Sequence, residues 1–284
     1  MSRFLLGILL NTAFVIIEII YGFKANSVAL LADALHNASD VLGLILVWSS
    51  YYIAQRRAPH KFTYGYKNIT ILAAFLNSLV LLVAIGNLLW ESFSRLAAPE
   101  SVTSGIVISV AIIGVAINGA TALLFVKDRN IDINIKGVFL NMALDTLLSL
   151  SVAIGGVLMW WKGWILVDPV MGCIIAITII YSFWGLFKES LNLIFQAVPQ
   201  SINLHEVIHD IMSTPQVFSY HDLHVWALST TETALSVHIT TTKENFNPEL
   251  ICALAKTFSE KYKIHHSTVQ LEVVGNGSIC VNNC

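Results

Sequence analysis

The chain has 284 residues, 56% of them apolar and only 12% charged, with a formal net charge of −2 and a mean hydropathy of +0.71. That apolar share exceeds what a soluble globule of this length uses, and the charged share is about half the usual one. A charge so near zero excludes the basic footprint of a nucleic-acid binder and the field that would attract acidic substrates.

A bilayer core needs about 20 consecutive apolar residues per helix. Six stretches meet that length, at residues 4–23, 28–54, 68–96, 102–126, 137–161 and 165–187. The connections are short and carry breakers such as Pro59, Pro99 and Gly163. No cleavable signal peptide is expected, since the first apolar run is as long as a spanning helix and lacks a small-residue cleavage site before Lys24. With the N-terminus inside, nine Lys and Arg fall in the inner segments against three (Lys24, Arg95 and Lys162) in the outer ones. The positive-inside rule then places both termini in the cytoplasm.

After Pro199 the composition turns polar, and seven of the nine His lie beyond residue 200. An amphipathic helix is expected at 203–212, strands at 221–228 and 234–241, a second helix at 248–262 and a third strand at 268–274. The fold class is therefore an α-helical membrane protein of six transmembrane helices followed by a small α+β domain, divided as 1–198 and 199–284. The four Cys (Cys173, Cys252, Cys280 and Cys284) do not form a secreted disulfide pattern.

Two apolar stretches carry polar residues that membrane helices normally exclude. His36 and Asp40 stand four apart in the second stretch, Asn141 and Asp145 four apart in the fifth. That spacing puts each pair on one helix face. An ionisable group at membrane depth costs roughly 2.5–3.5 kcal/mol on insertion scales, so its presence points to function. No basic residue lies within either core stretch to make a structural ion pair. Two such faces turned together would surround one point with imidazole, carboxylate and amide, which describes a divalent metal site. Asp33, three residues before His36, shares that general face and is expected beside the site or at its inner opening. Glu18, Asn77, Asn87, Glu91, Asn118 and Asp168 read as interhelical hydrogen-bonding groups.

The tail offers a second constellation. His221 and His224 stand at a turn-to-strand junction, His238 in the next strand, His265 and His266 at the entry to the third, and Cys280 and Cys284 close the chain. Imidazole and thiolate are zinc ligands. His221, His238 and His265 together read as a metal site, whereas His205 and His209 read as a surface pair.

The segments SVALLADALHNASD (27–40), FTYGYKNITILAAFLN (62–77), the Asn141/Asp145 region, Val198-Pro199, HDLHVW (221–226) and IHHSTVQLE (264–272) occur in order over nearly the whole chain. In this set the chain closely resembles the cation diffusion facilitator family of zinc-type metal transporters. The resemblance implies a ferredoxin-like cytoplasmic domain and a homodimer in a bacterial inner membrane. It implies export of a divalent metal, Zn2+ above all, from the cytosol in exchange for protons. It implies a transport site of His36, Asp40, Asn141 and Asp145. In the tail it implies ligands at His221, His238, His265 and Glu272, with Cys280 and Cys284 as candidates to arrive from the partner subunit. His60, in the connection after the second helix, is a candidate for a third site near the membrane surface.

Asn141 departs from the family pattern, which places His or Asp there. An amide oxygen is harder than imidazole and takes up no proton near neutral pH. Export of manganese, cobalt or iron therefore stands beside zinc as the alternative. An intramembrane metalloprotease would need a motif such as His-Glu-x-x-His, which is absent. A metal sensor that transports nothing would bind metal in the tail without flux.

Overall fold

The computed structural model describes residues 2–54, 56–126 and 133–273. For 2–8, 124–125, 133–138, 141 and several positions between 44 and 54 it describes the backbone alone. Six long helices lie among the described residues: α1 (Ser2–Ala25), α2 (Val28–Ala54), α3 (Ile69–Ala97), α4 (Ser104–Phe125), α5 (Ile133–Lys162) and α6 (Val167–Ile194). Among the described residues, Ile69–Ala97, Ser104–Leu123, Met142–Lys162 and Val167–Ile194 are long and apolar enough to cross a membrane. Each helix falls on its expected stretch; α3, α4 and α6 begin one or two residues later than expected, and α4 ends one residue earlier. α6 runs past the apolar run because Lys188 and Glu189 leave the membrane register without breaking a helix.

The chain divides into two compact units, Met1–Leu46 with Leu76–Gly185, and Val47–Phe75 with Leu186–Cys284. In the first, Phe14, Leu30, Ile85, Val110, Val152 and Ile175 form the centre of a buried core. α4 packs most closely on α5 and α1. Glycines permit this approach: a Cβ on Gly156 would stand 2.8 Å from Ile108 of α4, and one on Gly114 2.6 Å from Phe14 of α1. Large apolar side chains such as Ile16, Val80, Ile112, Leu147 and Ile174 face outward, as lipid requires. Trp90, Trp160, Trp161 and Trp164 are exposed near the C-terminal ends of α3 and α5 and the start of α6, the placement of an interfacial aromatic belt.

Helix ends in such a setting must find internal partners. α1 ends where Asn26 takes a left-handed φ of 54°. There Asn26 N donates to Phe23 O (3.2 Å) and Ser27 N to Gly22 O (3.1 Å), the paired bonds of a Schellman turn. Ser27 caps α2 by accepting from Leu30 N at 3.1 Å. Asp168 of α6 accepts from Val28 N at 2.9 Å and from the Ser27 hydroxyl. Arg95 of α3 donates to Asn26 O (2.6 Å), Asn26 Oδ1 (2.8 Å) and Glu91 (2.8 Å).

The second unit contains α7 (Leu204–Ser213), β1 (Ser219–Ala227), β2 (Thr233–Thr241), α8 (Glu249–Tyr262) and β3 (His266–Val273). The expected order α-β-β-α-β is therefore the order found. The sheet runs β1-β2-β3, with β1 antiparallel and β3 parallel to β2; α8 supplies the crossover that a parallel pair demands. Val225, Leu235, Val237 and Ile239 pack one sheet face against Val207, Ile211, Leu254 and Phe258. Asp210 of α7 accepts from Lys261 (2.6 Å) and Tyr262 (2.8 Å) of α8. The Lys261 bond, followed by that of Tyr262, holds the Asp210 carboxyl below the usual carboxylate range. Lys67 donates to Glu232, and Thr230 N donates to the Thr70 hydroxyl at 3.0 Å, so the β1–β2 hairpin rests on the start of α3.

Phe258 is 0% exposed at the centre of this core. Phe258→Ala is expected to destabilise the α+β domain by about 3–5 kcal/mol through lost burial and a residual cavity. Chemical denaturation of the detergent-solubilised chain, followed at its β-sheet dichroism, measures the loss.

Candidate metal sites

The first cluster lies where α2 faces α5. The helical period puts Asp33, His36, Asn37 and Asp40 of α2 in neighbouring positions over two turns, and Asp145 and Ser149 of α5 one turn apart. His36 Nε2 lies 3.1 Å from Asp145 Oδ1. His36, Asp40 and Asp145 each offer a ligand atom within 4.8 Å of the others. The Asp145 side chain is fully buried and that of His36 is 16% exposed. His36 Nδ1 is buried and has no hydrogen-bond partner among the described residues. Two carboxylates and an imidazole, with no basic residue in α5 between Lys136 and Lys162, form a donor set suited to a dication. Asn141 belongs to α5 one turn before Asp145, and its side chain lies outside the described residues.

Around this cluster, Ser149 donates to Asp33 Oδ2 at 2.9 Å, and Asn37 Nδ2 donates to Glu18 Oε2 of α1 at 2.9 Å. Neither Ser149 nor Asn37 stood out in the sequence. Ser149 continues the four-residue stripe of 141 and 145, a signal that a longer reading of that face would have caught.

The second cluster stands on the sheet face opposite the helices. His221 of β1 and His238 of β2 occupy paired positions in the ladder, and Glu272 of β3 lies opposite Thr240, two residues along. Residues two apart in a strand share a face, so the three side chains converge. His221 Nε2 is 3.1 Å from Glu272 Oε2, and His238 Nδ1 is 3.0 Å from Glu272 Oε1. All three offer ligand atoms within 4.8 Å of one another. Burial of the Glu272 carboxylate opposes its charge. The hydrogen bonds from His221 and Gln270 and the nearby His221 and His238 charges outweigh that effect and hold its pKa below the usual glutamate value. The β1 ladder shifts register between His221 and His224. Asp222 sits at this bulge with φ 53°, a conformation that Asp tolerates better than most residues. Its carboxylate reaches His224 (2.8 Å) and His238 (3.5 Å). Gln270 Nε2 donates to Glu272 Oε1 at 2.9 Å. Asp222 and Gln270 are thus the outer partners of this cluster, which the spacing of His and Cys in the sequence does not mark.

Two further expected ligands, His265 and His60, stand apart. His265 is exposed ahead of β3, with its Nδ1 bonded to Ser259 at 2.9 Å. His60 is exposed in the turn between α2 and α3. Cys280 and Cys284 lie outside the described residues.

Residues 4–195 match the model of the cation efflux transmembrane domain, and residues 199–274 that of the cation efflux protein cytoplasmic domain. The chain belongs to the cation efflux family. This bears out the resemblance to cation diffusion facilitators. Among its cation efflux relatives, the metal cation efflux system protein CzcD of Cupriavidus metallidurans is 33% identical over 94% of this chain and 85% of its own length. A protein of Bacillus velezensis named a cadmium, cobalt and zinc/H(+)-K(+) antiporter is 31% identical over 96% of this chain and 88% of its own. The zinc transporter ZitB of Escherichia coli K12 is 26% identical over 95% and 87%. A solved metal-bound C-terminal domain of CzcD shares 38% identity, covers 25% of this chain and 100% of that domain, and has a TM-score of 0.24.

Gln270 orients Glu272 without joining the three converging ligand atoms. Removing an outer partner of this kind typically lowers metal affinity about 10–100-fold. Gln270→Ala is expected to do so at the tail cluster, read by zinc titration of the detergent-solubilised chain with Asp145→Ala as background. Unchanged affinity would assign Gln270 to the sheet alone.

Proposed function

We propose that this chain exports divalent metal, Zn2+ foremost, from the cytosol in exchange for protons, and that it is no enzyme. The observation that carries this reading is the convergence of His36, Asp40 and Asp145 from two apolar helices within 4.8 Å. Support comes from relatives named for zinc transport and for zinc/H(+)-K(+) antiport.

The geometry performs exchange through competition. A metal ion requires neutral imidazole and ionised carboxylates. Imidazole titrates near ~6.5 in water and burial favours the protonated carboxyl. Metal and protons therefore displace one another from the same atoms. If α2 and α5 expose the cluster to one side and then the other, an inward proton gradient drives metal outward. Asn141 completes the shell in this proposal, with water as the other source of a fourth ligand. Its hard amide oxygen is the one feature favouring the second reading, export of manganese, cobalt or iron.

In the tail, His221, His238 and Glu272 are proposed to hold a regulatory or structural ion, joined by His265 and by Cys280 and Cys284 of a second copy. We place the domain boundary at 198/199, with 1–198 transporting metal and 199–284 binding metal and pairing two copies into a homodimer. The protein is integral to the membrane, and we place it in a bacterial inner membrane with both termini cytoplasmic.

Asp145→Ala and Asp40→Ala are each expected to abolish proton-coupled zinc flux in proteoliposomes carrying an internal pH dye, while the dimer persists on size exclusion. Normal flux in Asp145→Ala would refute the transport site. Asn141→His is expected to raise zinc over manganese selectivity by at least about tenfold, the equivalent of ~1.4 kcal/mol, in a competition titration. Unchanged selectivity would remove Asn141 from the ligand set.

A further inference from the structure

Glu18 of α1 and Asp33 of α2 are both 0% exposed. Each carboxylate has one oxygen with a fixed donor, Asn37 Nδ2 for Glu18 and the Ser149 hydroxyl for Asp33. The other oxygens, Glu18 Oε1 and Asp33 Oδ1, are buried without a donor, and the two carboxyl groups are neighbours, since Asn37, which donates to Glu18, stands one turn after Asp33 on the same face of α2. An ionised carboxylate can only accept. Two acceptors facing each other in a dry interior repel unless a proton lies between them, and two carboxylates sharing a site hold one proton between them. The polar groups facing the pair are Asn37 and His36 from α2, and Asp145 and Ser149 from α5. α4, which packs on α1, carries no titratable side chain.

We infer that Glu18 and Asp33 form a second proton-binding site, which holds one shared proton when no metal occupies the His36–Asp40–Asp145 cluster and releases it when metal binds there. The coupling is built into the helices. Asp33 stands three residues before His36, Asn37 directly follows His36, and Ser149 lies one turn beyond Asp145. A dication arriving one helical turn away stabilises the ionised pair; its departure favours the protonated one. By linkage the protonated pair weakens metal binding by the same factor that metal weakens proton binding. On release the O–H bond breaks, the pair keeps the electrons and the proton passes to water.

The inference rests on the proposed transport site, and infrared difference spectroscopy separates the two. The metal-free chain at pH 7 is expected to show a buried carboxylic-acid carbonyl band, shifted in deuterium oxide. Zinc should bleach it, and both Glu18→Gln and Asp33→Asn should lack it. In weak buffer, wild-type protein should release about one proton more per zinc bound at the membrane cluster than Glu18→Gln does. No such band in the wild type, or a band that either variant retains, overturns the shared proton. A band that zinc leaves untouched overturns the coupling. A band removed by potassium or sodium at constant pH assigns the pair to a monovalent cation and overturns the proton. In a His238→Ala background, zinc binding that Asp145→Ala leaves unchanged refutes the transport site alone, since the band is read without metal. If Glu18→Gln fails to fold, Asp33→Asn, whose amide still meets Ser149, carries the same comparison.

Discussion

A carboxylate inside an apolar helix bundle can be stabilised by a fixed donor, a proton or a metal cation, and ionised with none of them it costs several kcal/mol. The membrane unit uses the first at Asp168, and the proposed exchange uses the other two. Asp168 receives fixed donors, the Ser27 hydroxyl and Val28 N, and thereby caps α2. Glu18 and Asp33 receive one donor each and leave one oxygen unsatisfied. Asp145 faces His36 at 3.1 Å, a partner able to change its own charge. These differences grade the acids along the bundle: both oxygens of Asp168 are satisfied where α6 meets the α1–α2 turn, while Glu18 and Asp33 each keep one oxygen without a donor. A structural acid should be satisfied in one arrangement only, whereas a transporting acid must be tolerable both with and without its cation.

The tail cluster answers to a looser constraint. His221 is 34% and His238 18% exposed, while Glu272 is 5% exposed, so water reaches the imidazoles and the desolvation cost is smaller. The sheet compensates with rigidity. The ladder partner of each ligand is fixed by register, and the bulge at Asp222 turns a carboxylate toward His238 and His224. Bulges re-aim side chains in this way while leaving the ladder on either side intact. Exposure and fixed geometry fit an ion that stays; burial and incomplete satisfaction fit one that passes.

The element order was legible because each period is local. Six apolar runs, an amphipathic helix, alternating strands and the i,i+4 pairs at 36/40 and 141/145 all follow from neighbours within one or two turns. What escaped depends on how elements meet. Glu18 read as a hydrogen-bonding group, and its bond to Asn37 is there. Its approach to Asp33 requires the α1–α2 packing that no single-helix pattern encodes. Glu272, to which the family resemblance alone pointed, converges with His221 and His238 only through a parallel β2–β3 register, set by the crossover through the 14 residues of α8. His265 differs from Glu272 in just this respect: it ends the loop before the ladder begins, so no cross-strand partner holds it against the other two imidazoles.

Asn141 gives the carboxyl pair its significance. Exchange that moves no net charge needs two protons for each dication. An amide contributes none near neutral pH, which leaves His36 and the two aspartates to supply both from atoms that the metal itself must occupy. Protonating two carboxylates so close to an imidazole leaves the cluster uncharged or cationic, a poor start for attracting a dication. A proton stored one turn away on Glu18 and Asp33 separates the two releases. In the proposed exchange the imidazole gives up one proton on direct displacement, and the pair gives up the other through the field of the arriving ion. The cluster then keeps the negative charge that draws the metal in, and the summed formal charge of cluster and pair stays the same before and after the exchange.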